Sequence, residues 1–379
     1  MITNTFANIS LIPSSSWRWC FYINLPIGGF TTITLLAFFN PETQSRQQKL
    51  TFKETIQRLD PLGALFLIPS IVCLVLALQW GGTTYPWSAP RIAGLLAAFA
   101  ILFVGFILVE ALTPKTAMAP ARILLNRSIA GSMFFGFLIY GGTMAVTYYL
   151  AIWFQAVKGD SAMKAGIKTL PTILAMVIIS GPVAKFTERT GYYVPSMLLS
   201  PVLVATGAGL LSTMTRFSNR SYWIGYQVIF GLGLGSGFQQ ANLVSQAVLP
   251  KSDLPIGMAL AIFAQQLAGS VFLAVGQNLF SRNLIKRLSG VAGLNAERIV
   301  NTGATDIHNV VPPDDLDTVL DSYNYAITRV FILGAILGAA MVVGALAVEW
   351  KSIKPKKNDK KELQDVKPGE KEGNPEFSS

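Results

Sequence analysis

A chain of 379 residues that is 51% hydrophobic and only 13% charged does not read as a soluble domain, in which about a quarter of residues carry charge. Its two cysteines argue against a disulfide framework, and its one histidine, His308, argues against metal sites and histidine-based hydrolases. The formal net charge of +10 is not a nucleic-acid signature, because no domain gathers it on one face with interleaved aromatics.

The apolar residues fall in nine blocks, each near the ~20 residues that a membrane-spanning helix needs. In chain order they are roughly Arg18–Phe39, Pro61–Trp80, Arg91–Leu112, Ile129–Phe154, Gly166–Ala184, Tyr193–Thr213, Tyr222–Val248, Gly257–Leu279 and Tyr325–Val348. Segments with Pro, Gly and charge separate them. This pattern predicts an all-α, polytopic helical membrane protein with about nine transmembrane helices. Cys20 and Cys73 both lie inside apolar blocks.

The first block carries Asn24, Pro26, Gly28 and Gly29 at its centre, and Trp17, Arg18 and Trp19 at its start. All the tryptophans, including Trp80, Trp87, Trp153, Trp223 and Trp350, fall within a few residues of a block end. Indole favours the membrane–water interface, where its ring is apolar and its N–H stays wet. The N-terminus lacks a basic region and a cleavage site, so no signal peptide is expected.

Nine spans put the two ends of the chain on opposite sides. Lys and Arg gather on one set of connecting segments, with Arg46, Lys53, Arg58, Arg122, Arg127, Lys185, Arg189 and eight tail lysines. The positive-inside bias places those segments and the C-terminus in the cytoplasm. The tail after Trp350 mixes lysines with acids and reads as disordered. The long stretch Ser281–Ser322 is then an outer loop, and Asn8 of the Asn8-Ile9-Ser10 sequon is an outer glycosylation candidate. Asn219 lies too near the membrane, and Asn126 lies on the inner side.

The seventh block carries GLGLGSG, Gly231–Gly237, in its middle. Neither Gly231 nor Gly233 starts the i, i+2, i+5 glycine pattern of a dinucleotide loop, and no Gly-Lys-Ser/Thr follows. Gly231/Gly235 and Gly233/Gly237 are instead two small-xxx-small pairs on roughly opposite faces, which predicts close helix packing. The sequence FQQANLVSQ follows. Gln239, Asn242 and Gln246 share one helix face at i, i+3 and i+7. The eighth block carries Gln265, Gln266, Ser270, Gln277 and Asn278. Carboxamides facing lipid would be unsatisfied, so they must point to other helices or to water. Interhelical hydrogen bonds and the polar wall of a cavity are both open readings. No Asp or Glu lies in the middle of any block; Glu110, Lys168 and Arg329 lie near block ends.

Several of these stretches carry a resemblance. SWRWCFYINLPIGG (Ser16–Gly29) resembles the sixth helix of the fourteen-helix drug:proton antiporter branch of the major facilitator superfamily, in its fungal form. RLDPLGALFLIPS (Arg58–Ser70) resembles the start of that family's seventh helix, and GYYVP (Gly191–Pro195) its loop between the tenth and eleventh helices. The stretches 231–250 and 253–280 resemble its twelfth and thirteenth helices. Such transporters have two six-helix halves with two inserted helices between them. The resemblance thus implies an outer segment over 1–17 and the last helix of the first half over 18–39. The inserted pair occupies 40–127, the six-helix second half 128–348 and the tail 349–379. On this resemblance the chain would lack the first five helices.

The resemblance implies proton-coupled efflux of small amphipathic drugs, toxins or secondary metabolites, in the plasma membrane or an endomembrane. Its partners would be that substrate and the bilayer, with no nucleic acid and no cofactor. A bend-prone helix at Pro26, Gly28 and Gly29 would pack between the halves. The candidate substrate-pathway residues are Gln239, Gln240, Asn242, Gln246, Gln265 and Gln266, with Asn24 and Asn278 beside them. The alternative is a truncated, non-transporting membrane protein that needs a partner.

Overall fold

The computed structural model describes residues 22–38, 60–113, 117–250, 252–291, 296–304 and 306–352. The expected glycosylation site Asn8, the anchors Trp17 and Trp19, Cys20 and the tail beyond 352 lie outside them. Among the described residues the chain is helices and turns, with one isolated bridge between Gly81 and Tyr85. The helices are α1 (Asn24–Phe38), α2 (Pro61–Trp80), α3 (Pro90–Leu112), α4 (Ala121–Leu124), α5 (Arg127–Ala156), α6 (Ala162–Thr190) and α7 (Val194–Ser212). They continue as α8 (Arg220–Gly237), α9 (Gln240–Val248), α10 (Leu254–Leu288), α11 (Ala296–Asn301), α12 (Ile307–Val310) and α13 (Pro313–Ala347).

Seven of these, α2, α3, α5, α6, α7, α10 and α13, are long and apolar enough to cross a membrane. The other two apolar blocks are helical as well. The first gives α1, apolar but 15 residues long. The block Tyr222–Val248 is covered by α8 and α9, which meet at Phe238 and Gln239. The chain is thus a polytopic helical membrane protein.

Local chemistry sets the helix ends. Asp60 starts α2 from a left-handed backbone (φ 46°), a conformation that Asp tolerates. Its Oδ1 accepts from Gly63 N at 2.9 Å, and its Oδ2 accepts from Met118 N at 3.3 Å. A Cβ at position 63 would run into that carboxylate, so Asp-Pro-Leu-Gly works as one capping unit. Asn126 caps α5 by accepting from Ser128 N at 3.0 Å. Gly191 ends α6 in the left-handed region (φ 82°), as a glycine at a helix C-terminus does. The next turn then buries Tyr193, whose hydroxyl donates to Glu349 O at 2.8 Å.

The helices alternate in direction, so the bundle has two ends. One, the tail end, gathers Asp60, Glu110, Arg122, Asp253 and Glu349. The other, the loop end, gathers Lys158, Arg216 and His308. The central core lies among α5, α7, α8, α10 and α13, and its largest fully buried side chains include Phe135, Tyr149, Trp153 and Phe154 of α5 with Phe230 and Phe331. The pair α2–α3 packs on itself and on α10. It leaves Leu65, Ile68, Ile101 and Val104 exposed, as suits helices bathed in lipid. No residue of α1 is buried, and a Cβ at Gly28 or Gly29 meets nothing within 4 Å.

Three details differ from the sequence expectation. Of the 281–322 stretch expected as a loop, residues up to Leu288 continue α10 and residues from Pro313 begin α13. Each of these helices has 35 residues and is about 50 Å long, against about 30 Å of hydrocarbon core, so it projects beyond the bilayer. Trp153 and Trp223 lie near helix ends but are buried. Trp153 Nε1 donates to Asn324 Oδ1 at 2.7 Å, and Asn324 Nδ2 donates to Met214 O at 3.0 Å.

Candidate functional site

The site is built around the junction of α8 and α9, where Phe238 and Gln239 keep right-handed helical dihedrals. α8 approaches two neighbours through its glycines. A Cβ at Gly231 or Gly235 would strike the backbone of α6 at Thr172 or Met176. A Cβ at Gly233 would lie 2.6 Å from Val204 N of α7, and one at Gly237 would strike Ser200 of the same helix. Ser200 Oγ donates to Gly233 O at 2.7 Å. Gln227, fully buried, ties α8 to α6: it accepts from Thr172 Oγ1 at 3.1 Å and donates to Lys168 O at 3.0 Å. These contacts fix where α8 ends and so aim α9.

α9 is short and amphipathic. Gln239, just before it, and Gln246 are exposed, and Asn242 between them is half-buried. On the opposite side Gln240, Ala241, Val244 and Ser245 are buried. Gln240 Oε1, Asn242 Oδ1 and Ser245 Oγ are buried atoms with no hydrogen-bond partner among the described residues. An unsatisfied buried polar atom costs about 1–3 kcal/mol; of the three, Asn242 lies toward the exposed side of α9, and Gln240 and Ser245 lie on its packed side.

α10 supplies the facing wall. Gln265 is buried beside Gly136 of α5: a Cβ there would lie 3.2 Å from Gln265 Nε2 and 3.6 Å from Ala241 Cβ. The missing side chain at Gly136 thus lets α9 and α10 converge on α5. Gln266 and Ser270 are exposed. Gln277 is engaged in packing, with Tyr149 Oη donating to its Oε1 at 2.8 Å and its Nε2 donating to Ser281 Oγ at 3.2 Å. Asn278 faces the inserted pair, where its Nδ2 donates to Leu78 O at 2.9 Å. Asn24 opens α1 and is exposed. The structure therefore brings Gln239, Gln240, Asn242 and Gln246 together on α9, with Gln265 and Gln266 on α10. It sets Asn278 and Asn24 apart. Ser245 joins the group; a lone serine in an apolar stretch gives no signal that separates it from a packing residue.

A sequence profile of the Major Facilitator Superfamily matches residues 5–273. The chain belongs to this superfamily. Relatives within it include the MFS-type efflux pump MFS1 of Arthroderma benhamiae, 44% identical over 343 residues, which are 90% of this chain and 64% of the relative. The efflux pump roqT of Penicillium rubens is 43% identical over 90% of this chain and 64% of its own length. The efflux pump aflT of Aspergillus parasiticus is 40% identical over 89% of this chain and 66% of its own length. The chain spans a little under two thirds of the superfamily relatives that it matches.

Proposed function

We propose that this chain supplies a substrate-facing wall of an efflux transporter for small amphipathic compounds. The observation that carries the reading is the face formed by Gln239, Asn242 and Gln246, exposed or half-buried, where Asn242 Oδ1 has no hydrogen-bond partner among the described residues, with Gln266 and Ser270 of α10 also exposed. Substrate sites of secondary transporters lie near the bilayer midplane, beside broken helices. The polar face of Gln239, Asn242 and Gln246, set in an otherwise apolar block, suits such a site, and the names of the relatives support export as the direction. In this reading residues 128–348 form the six-helix half, α2–α3 are the inserted pair, and the protein sits in the plasma membrane with its tail in the cytoplasm. Every described carboxylate lies near one end of the bundle or the other, so proton coupling would use a group other than these.

The test is binding of a fluorescent amphipathic cation, rhodamine 6G, to the chain in lipid nanodiscs. The triple variant Gln239→Leu, Asn242→Leu, Gln246→Leu removes the three carboxamides of the exposed face. Affinity at least tenfold weaker with an unchanged melting temperature supports the reading, and equal affinity contradicts it. A second reading, a membrane subunit that needs a partner surface, is favoured by α1, which buries none of its residues. It would appear as specific co-purification lost on replacing α1 with a polyleucine helix.

A further inference from the structure

At the loop end, away from the glutamine face, lies a cleft of about 510 Å³ between the end of α5, the start of α6 and the turn into α8. Four of its lining side chains are cationic: Lys158, Lys164, Lys168 and Arg220. Phe217 and Trp223 give it an apolar wall. One carboxylate answers these charges, because Lys168 pairs with Asp160. Lys158 Nζ donates to two neutral carbonyls, Arg216 O at 2.6 Å and Ser218 O at 3.1 Å. The side chains of Lys164 and Arg220 are exposed and make no ion pair among the described residues. The adjacent Arg216 turns away to Asp317 and Asp321. Burial, and then the charge of Lys168, push the Lys158 ammonium below the ordinary lysine value. An anion in the cleft would relieve that strain.

Four cations are brought together here, and Asp160, the carbonyls of Arg216 and Ser218 and the faces of Trp153 and Phe154 offset the charge of Lys158 and Lys168, leaving Lys164 and Arg220 without an anionic partner among the described residues. The cleft also sits where the spanning helices α5 and α6 end and begin. Phe217 of its lining is 76% exposed, and Tyr222, in the first turn of α8, is 56% exposed; Trp and Tyr favour the membrane interface. Basic pockets between membrane helices on the cytoplasmic side take lipid headgroups, and a cation cluster at the opposite end offers the same chemistry to a phosphate of the outer leaflet. We propose that this cleft binds the phosphate of a membrane phospholipid, held by Lys164 and Arg220 over a floor of Lys158 and Lys168, with its glycerol and upper acyl carbons against Phe217 and Trp223. A free oxyanion shares the phosphate chemistry but lacks the apolar part.

Native mass spectrometry of the whole chain, released from micelles doped with phosphatidylglycerol, reads the bound lipid directly. The unmodified chain should retain one phosphatidylglycerol. Lys164→Gln/Arg220→Gln should bind it about 30-fold more weakly, about fivefold for each cation. Lys185→Gln, an exposed cation at the tail end, should bind it as the unmodified chain does. Both substituted side chains are exposed, and a melting curve checks that the variant is folded. Inorganic phosphate that displaces the lipid at matched occupancy would support the oxyanion site and overturn the lipid as its source. Equal retention by the unmodified chain and the double variant, or an equal loss in Lys185→Gln, would overturn the proposal.

Discussion

Arg122 grips Asp253 with both arms of its guanidinium, Nη1 to Oδ2 at 2.5 Å and Nη2 to Oδ1 at 2.9 Å. The pair ties α4, on the approach to α5, to the residue that precedes α10. The Asp253 side chain is 9% exposed and that of Arg122 66%, so the carboxylate depends on its partner far more than the reverse. Arg122→Ala should lower stability by about 1 kcal/mol, a figure already reduced for the exposure of the arginine. Arg122→Lys should recover less than half of this, because an ammonium lacks the two-pronged geometry. Thermal unfolding in detergent reads both, and an unchanged midpoint in Arg122→Ala would count against the tie.

Asn278 fastens α10 to the inserted pair through Leu78 O. Asn278→Ala should cost about 0.6 kcal/mol, as interhelical hydrogen bonds in membranes do on average. It should leave rhodamine 6G affinity unchanged. If Asn278 instead lined the substrate pathway, affinity would fall with little change in stability, so the two readouts together assign its role.

Two glycine-to-alanine changes should move stability in opposite directions. At Gly233 the added methyl would lie 2.6 Å from Val204 N, and overpacking of this kind costs about 1–3 kcal/mol. At Gly209, inside α7, the methyl meets nothing within 4 Å. Replacing a mid-helix glycine there should gain about 0.5–1 kcal/mol by restricting the unfolded chain. Melting temperatures of the two single variants check the contrast, and a shift of the same sign in both would contradict it.

The helices were legible in the sequence because a bilayer imposes one demand, about 20 apolar residues per crossing. Glycine spacing carried the two faces of α8, because residues four apart on a helix look the same way. What hydropathy does not carry is anything outside the slab. α10 runs on to Leu288 and α13 starts at Pro313, because helical propensity and tertiary contacts continue where the lipid stops. Nor does it name partners. Asn278 and Gln265 read alike as intramembrane amides. One faces Leu78, 200 residues away, and the other faces Gly136; only folding separates them.

The account rests on α9 presenting one face to an aqueous substrate pathway, and cysteine scanning from Gln239 to Gln246 tests it most directly. In a Cys20→Ser/Cys73→Ser background, single cysteines would be exposed in sealed membranes to a water-soluble thiol reagent. Positions 239, 242 and 246 should react and should be slowed by bound amphipathic substrate. Positions 241 and 244, buried against the bundle, should stay unlabelled. Labelling that ignores the helical period, or none at 239, 242 and 246, would contradict the assignment and leave those side chains as packing residues.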